Sequence, residues 1–202
     1  MDAARIGPNA VTRVADALRA RAGDAATAAL FGRAGLAGYL SRPPETMVPE
    51  DEVARLHRTL QESLPAVDAE AIALDAGRRT GDYLLAHRIP RPVRHLLRAL
   101  PAPLATRLLI AAIRRHAWTF CGSGRFDATF TPEPRLTITG NPLCRGRRTE
   151  APACAYYAAT FERLFRALVH AEATVTEIAC EATGAPACVF ALRWPHAASR
   201  AA

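Results

Sequence analysis

The sequence predicts a single α+β domain, and three observations predict it. Apolar residues recur at helical spacing through roughly the first 120 positions, whereas short runs of strand formers begin only after Gly122 and bracket one more helix. A chain of 202 residues holds one well-filled core but is short for two. With 50% hydrophobic and 22% charged residues it belongs with ordinary globular proteins, away from disorder, collagen or coiled coil.

Element by element, Val11, Val14, Ala15 and Leu18 come after Gly7-Pro8-Asn9 at i, i+3, i+4 and i+7, the mark of an amphipathic helix. A second helix is expected over residues 25–40, interrupted by glycines, and then a proline-rich loop over 41–49. Pro49-Glu50-Asp51-Glu52 places proline and acids in the first turn of a helix reaching about residue 63, where the helix dipole favours negative charge. Asp68 is expected to cap the next, which ends near His87. Prolines at 90, 92, 101 and 103 cut the middle of the chain into a helix over 92–99 and a longer one over 103–120. Residues 125–130 and 135–139 are strand formers around a proline-bearing turn, hence a hairpin. A helix over 153–170 carries Tyr157, Phe161, Leu164, Phe165 and Leu168 on one face, and residues 173–194 supply two last strands.

Composition excludes some chemistry. All 26 basic side chains are arginine, so a lysine Schiff base is impossible. The net charge of +7 is spread along the chain beside an excess of alanine and arginine, so no nucleic-acid partner is expected. MDAARIGPNA lacks a basic stub, apolar stretch and cleavage site, and the longest apolar run, 108–113, is too short to span a bilayer. A cytoplasmic protein is expected. Five cysteines in a reducing compartment do not suggest a disulfide framework, which leaves metal binding or plain burial.

Cys154 opens the last helix, Glu177 and Cys180 lie 23 and 26 residues further on, and Cys188 comes across Thr183-Gly184-Ala185-Pro186. A helix start facing a hairpin can gather all four, and three thiolates with a carboxylate suit tetrahedral zinc. Cysteine is equally a small buried hydrophobe that needs no metal. Burying Glu177 in an otherwise apolar run is costly without a partner, and a cation beside it answers that cost. Spacing by itself does not decide. Cys121 and Cys144 carry no comparable pattern.

The pattern Cys154, then Glu177-x-x-Cys180-x-x-x-Gly184-x-x-x-Cys188, resembles the zinc site of 4-vinyl reductase (4VR) domains, including the sensor modules of phenol-responsive transcriptional activators. The match covers roughly residues 120–194. It implies zinc held by Cys154, Glu177, Cys180 and Cys188, a fold related to the small subunits of the TRAPP vesicle-tethering complex, a dimer, and an apolar small-molecule pocket near the metal. On that reading residues 1–48 are an N-terminal helical segment, 49–196 the small-molecule-binding domain with its core at 120–194, and 197–202 a tail. The sensors' phenol-gripping histidine and tryptophan find no match here. The stretch AIALDAGRRTGDYLLAHRIP is most similar to the family's bacteriochlorophyll-biosynthesis branch, historically labelled 4-vinyl (8-vinyl) reductases.

That branch implies a tetrapyrrole ligand, a flat apolar macrocycle with anionic propionates, and at most peripheral contact with the photosynthetic membrane. Leu109, Ile113, Trp118 and Phe120 offer apolar faces, Arg114 and Arg115 offer partners for carboxylates, and His116 offers an axial ligand. Each has a plainer reading as core or solvated surface. Arg88, Arg91, Arg94 and Arg98, with 91, 94 and 98 on one helical face beside His87 and His95, could meet propionates, acidic proteins or anionic lipid, or be merely exposed. Arg145, Arg147 and Arg148 sit in a glycine-bearing loop that could close over a ligand. A vinyl reductase would need a hydride or electron source, yet Gly122-Ser123-Gly124 comes after a helix, precedes a strand and lacks a third glycine, so it reads as a connector. An iron–sulfur cluster would want four thiolates. Four protein ligands close a zinc site, which makes the ion structural. The expectation is therefore a carrier, for a porphyrin intermediate such as magnesium protoporphyrin, with magnesium-chelatase and methyltransferase components as partners. The alternatives are an 8-vinyl reductase and an aromatic small-molecule sensor.

Overall fold

Prolines punctuate the helical half of the protein in the computed structural model, which describes residues 4–195. A short strand β1 (Arg5–Ile6) leads into α1 (Asn9–Arg33), α2 (Gly38–Ser41), β2 (Val48–Pro49) and α3 (Glu50–Ser63). Then come α4 (Ala66–His87), α5 (Arg91–Ala99), α6 (Ala102–Arg115) and α7 (Trp118–Cys121). Pro8, Pro49, Pro65, Pro90 and Pro101 stand immediately before α1, α3, α4, α5 and α6, where the N–H that proline lacks has no helical partner to lose.

Two expected boundaries move. The helix expected over 25–40 is mostly the second half of α1, which passes through Gly23 at φ +81° as a kink and ends before Gly35, also at positive φ. Asp68 does not cap α4: Pro65 holds that position, and Asp68 accepts from Arg21 at 2.8 Å across to α1. The helix expected to reach 120 stops at Arg115, and α7 is a separate turn.

The second half is a four-stranded antiparallel sheet of β3 (Arg125–Thr129), β4 (Arg135–Thr139), β5 (Thr174–Ala179) and β6 (Cys188–Arg193), in the order β3-β4-β6-β5. Between β4 and β5 runs α8 (Ala155–Leu168), whose expected face of Tyr157, Phe161, Leu164, Phe165 and Leu168 is entirely buried. Leu136, Ile138 and Phe190 alternate inward from β4 and β6, as a half-buried sheet requires. One hydrophobic core runs from Ile6 to Leu192 and includes Val14 and Leu18 from before residue 48 with Ile72 and Phe165 from after it. The tail at 197–202 lies outside the described residues.

Helix α8 touches α4 at unusually close range. Gly77 and Gly81 are one turn apart on one face of α4; a Cβ on Gly77 would run into the Tyr156 carbonyl oxygen, and one on Gly81 would lie 2.7 Å from the Arg163 Cβ. Thr160 Oγ1 donates to the Gly77 carbonyl at 3.1 Å, and Thr80 Oγ1 and the Tyr156 hydroxyl are 3.0 Å apart. This crossing fixes where α8 begins. No helix among the described residues is long and apolar enough to cross a membrane.

Candidate metal centre

Four sulfurs meet where α8 begins and the β5–β6 connection turns. Cys144 ends a 3-10 turn (Pro142–Cys144) after β4, Cys154 is the residue before α8, Cys180 comes directly after β5, and Cys188 opens β6 opposite Ile138 of β4. Their Sγ atoms are 3.3 Å (144–154), 3.5 Å (144–188), 3.6 Å (144–180), 3.7 Å (154–188), 4.0 Å (154–180) and 4.0 Å (180–188) apart. All six edges of the tetrahedron are thus nearly equal. A tetrahedral ion with metal–sulfur bonds of ~2.3 Å sets its sulfurs about 3.8 Å apart, so the four thiols suit a zinc-sized ion. All four side chains are buried.

Hydrogen-bond donors surround the sulfurs. Asn141 Nδ2 lies 3.2 Å from both Cys154 and Cys188 Sγ, while the N–H groups of Ala153 and Glu181 point at Cys180 and Cys188 from 3.4 Å. Such donors stabilise thiolate charge and hold the ligands in place. Asn141 is itself held, since the Glu181 carboxylate accepts from the N–H groups of Gly140 and Asn141 at 2.6 and 2.8 Å. Hydrogen bonds to Cys144, Cys154 and Cys188 pull the Cys180 thiol far down, whereas those of Cys144, Cys180 and Cys188 push Cys154 up. Without a cation the sulfurs cannot all ionise together.

Of the residues the resemblance named, Cys154, Cys180 and Cys188 come together. The fourth member of the group is Cys144, which spacing does not single out, and Glu177 stands beside it. Glu177 Oε2 accepts from the Cys154 N–H at 2.8 Å, and its buried Oε1 has no partner. Burial pushes its carboxyl up to about 9; the Cys154 N–H opposes the rise and the Cys180 and Cys188 sulfurs add to it. A cation among the sulfurs would pull it back down. Cys121, the fifth cysteine, is buried in α7 away from the group, and burial pushes its thiol up to about 12.

Relatives identify the chain. It is 44% identical over 190 residues to the bacteriochlorophyll synthase 23 kDa chain of Cereibacter sphaeroides, covering 93% of this chain and 90% of that one. The protein of the same name from Rhodobacter capsulatus is 41% identical over 192 residues, covering 95% and 88%. The chain belongs to the bacteriochlorophyll synthase 23 kDa chain family. Residues 134–193 match the 4-vinyl reductase domain family, a span that contains all four cysteines of the group. The whole fold is similar to that of H-NOX proteins. One from K. algicida in the Fe(II) unliganded state has a TM-score of 0.61 at 10% identity, covering 96% of this chain and 98% of that one. Another, from S. oneidensis in the Fe(II)NO state, has a TM-score of 0.52 at 10% identity, covering 95% and 100%.

In this member of the 23 kDa chain family the seven residues expected to line a ligand pocket divide. Leu109 and Ile113 are buried in the core, and Phe120 packs edge-on against Phe126 and Phe161. Arg114 points outward to Asp127 at 2.6 Å, and exposed His116 has its Nδ1 2.8 Å from the Ala112 carbonyl. Arg115 is exposed too, and Trp118 is 62% exposed, high for an indole. The first three therefore face the core and the last four face solvent where α6 passes into α7.

The arginine loop also divides. Arg145 reaches Glu50 at 2.7 Å, and Ser123 donates to the same carboxylate through both its N–H and its Oγ. Burial pushes the Glu50 carboxyl up, but these three hydrogen bonds hold it below the usual carboxylate range. Gly122-Ser123-Gly124 is thus the connector from α7 to β3, tied to α3. Arg147 and Arg148 line a surface hollow with Cys144, Gly146, Glu181 and Gly184, just outside the sulfurs.

Proposed function

We propose that the protein binds a tetrapyrrole intermediate of bacteriochlorophyll biosynthesis, such as magnesium protoporphyrin, and hands it to a pathway enzyme, while a structural zinc ion clamps its C-terminal hairpin. The observation that carries this reading is identity of 44% across 93% of the chain with a protein named for bacteriochlorophyll synthase. The fold likeness to H-NOX proteins supports it, because solved structures of that group are described in terms of heme and porphyrin distortion. Trp118, His116, Arg114 and Arg115 are the proposed contacts: an indole face, an imidazole and two guanidiniums for propionates. Zinc would sit on the thiolates of Cys144, Cys154, Cys180 and Cys188 with Glu177 alongside. Such an ion supplies cross-linking, since four protein ligands leave no position for substrate. Magnesium-chelatase and methyltransferase components are the proposed recipients, and a homodimer the proposed assembly.

A vinyl reductase remains the enzymatic rival, and the connector role of Gly122-Ser123-Gly124 gives a nicotinamide or flavin nothing to bind there. Titrating the purified protein with magnesium protoporphyrin while monitoring the Soret band tests the carrier. A saturable shift at micromolar ligand, weakened by Trp118→Ala or His116→Ala, is expected. An unchanged spectrum overturns the proposal, as does catalytic turnover of a divinyl substrate with added reductant.

A further inference from the structure

Between Asp82 and Asp127 the chain has no acidic residue and carries arginines at 88, 91, 94, 98, 107, 114, 115 and 125. That stretch alone exceeds the whole net charge of +7 and leaves the rest of the molecule close to neutral. Its first two helices, α5 and α6, pack on each other and are also where large aliphatic side chains stand in solvent. Val93 is 42% exposed, Leu96 55%, Leu104 46% and Leu108 44%. On α5 the side chains divide by angle: Leu97 faces the core, Val93 and Leu96 lie to one side, and Arg91, Arg94 and Arg98 to the other. On α6, Leu104 and Leu108 are one turn apart, outside the buried row of Ala105, Leu109 and Ile113, with Arg107 beside them.

Those arginines are not spent on ion pairs. Among the described residues no carboxylate lies within 4.0 Å of Arg88, Arg91, Arg94, Arg98 or Arg107. Arg98 donates to the Ala167 carbonyl, and Arg88 and Arg107 lie over the Tyr83 and Phe130 rings. A face with free guanidiniums beside exposed aliphatics calls for a partner with anionic groups directly above apolar matter.

We propose that α5 and α6 form a docking face for an anionic bilayer surface, with Val93, Leu96, Leu104 and Leu108 entering the headgroup–acyl boundary and Arg91, Arg94 and Arg107 on lipid phosphates. Charge complementarity selects an anionic partner, and the aliphatic row selects lipid among anionic partners. A nucleic-acid backbone or an acidic protein patch would leave that row in water. Arginine suits the place because its stem lies along apolar surface while its head reaches phosphate. The inference is independent of tetrapyrrole binding.

Co-sedimentation of the full chain with phosphatidylcholine vesicles, with and without about 30 mol% phosphatidylglycerol, tests it; at least roughly tenfold more protein bound with the anionic lipid is expected. Two double variants at exposed positions separate the contributions, each checked by thermal melting to be folded. Leu96→Ser/Leu104→Ser should cut binding at low salt, and Arg91→Gln/Arg107→Gln should remove the preference for anionic lipid. Equal binding to neutral and anionic vesicles overturns the proposal. So does full retention of binding by the leucine variant, which would mean simple adsorption to a polyanion. Wild-type self-association in sedimentation velocity that the leucine variant abolishes, without vesicle binding in either, also overturns it and makes the face a contact between copies.

Discussion

Helix α8 is held near its start by sulfur and through its middle by glycine, and the two attachments obey different physics. At the α4 crossing every partner belongs to the chain: Gly77 and Gly81 remove side chains so that backbones approach, and Thr160, Thr80 and Tyr156 satisfy one another. At the sulfur end four buried thiols stand 3.3 to 4.0 Å apart beside a carboxyl whose Oε1 has no partner. Packing closes the first site. The second is satisfied only by something the chain does not contain, which makes its stability a matter of linkage to a ligand concentration.

The sharpest way to break the comparison is to take the proposed ion away. Cys180→Ala, or prolonged chelation, should remove about one equivalent of zinc and lower stability by several kcal/mol, read as a fall in Tm of ten degrees or more. If metal analysis finds no zinc, and the variant loses only the ~1 kcal/mol of a small packing defect, the sulfur end is core like the crossing. Gly77→Ala should come next, at about 3 kcal/mol, because its new Cβ meets a backbone carbonyl that cannot step aside. Urea unfolding should show that loss equally with and without chelator. A chelator-dependent loss would show that the two attachments are one cooperative unit.

Much of this arrangement is legible in the sequence, and the failures have causes. Helix starts can be read because proline marks them chemically, and the buried face of α8 because Tyr157, Phe161, Leu164, Phe165 and Leu168 keep helical spacing. Three of the four sulfurs are legible because Cys154, Cys180 and Cys188 fall at element boundaries. Cys144 is not, since it belongs to a turn after β4 and reaches the others only because β4 pairs with β6, a long-range fact that no local period records. Asn141 escapes for the same reason, although Asn141-Pro142 is a turn signal that places the next residues at a strand end. The proposed ligand residues scatter because 103–120 reads as one helix in the sequence and is two in the structure. Ending α6 at Arg115 turns Trp118 to solvent while Leu109 and Ile113 stay inside.

A smaller effect probes the Glu50 knot, which ties the Cys144 loop to α3. Arg145→Ala removes one of three hydrogen bonds to a carboxylate whose side chain is only 8% exposed. Arg145 itself is 45% exposed, so solvent screens the pair, and a loss of about 1 to 2 kcal/mol is expected in urea unfolding. Stability should also become more sensitive to acid, because Glu50 would lose part of what holds its carboxyl below the ordinary range. Should zinc retention fall as well, the knot supports the sulfur end, and the contrast between the two attachments sharpens.

The smallest effect comes from His57, buried in α3 with its Nε2 3.1 Å from the Ala10 carbonyl and its ring edge-on to Tyr156. Burial lowers its pKa to about 4, against the hydrogen bond to Ala10, which raises it. With an unfolded value near 6.5, the unfolded chain takes up the proton first as pH falls, so stability is whole above about pH 6.5 and declines toward pH 4. By pH 5.5 the decline should be about 1 kcal/mol. The sulfur ligands also take up protons in acid and would release a metal, so the wild-type profile mixes both attachments. Subtracting the profile of His57→Gln isolates the histidine: the difference should be level above pH 7 and fall below it, with or without chelator. A difference that stays level to pH 5 would mean that His57 is protonated in the folded protein, its proton shared with the Ala10 carbonyl, and that the helical side is open enough to water to carry that charge.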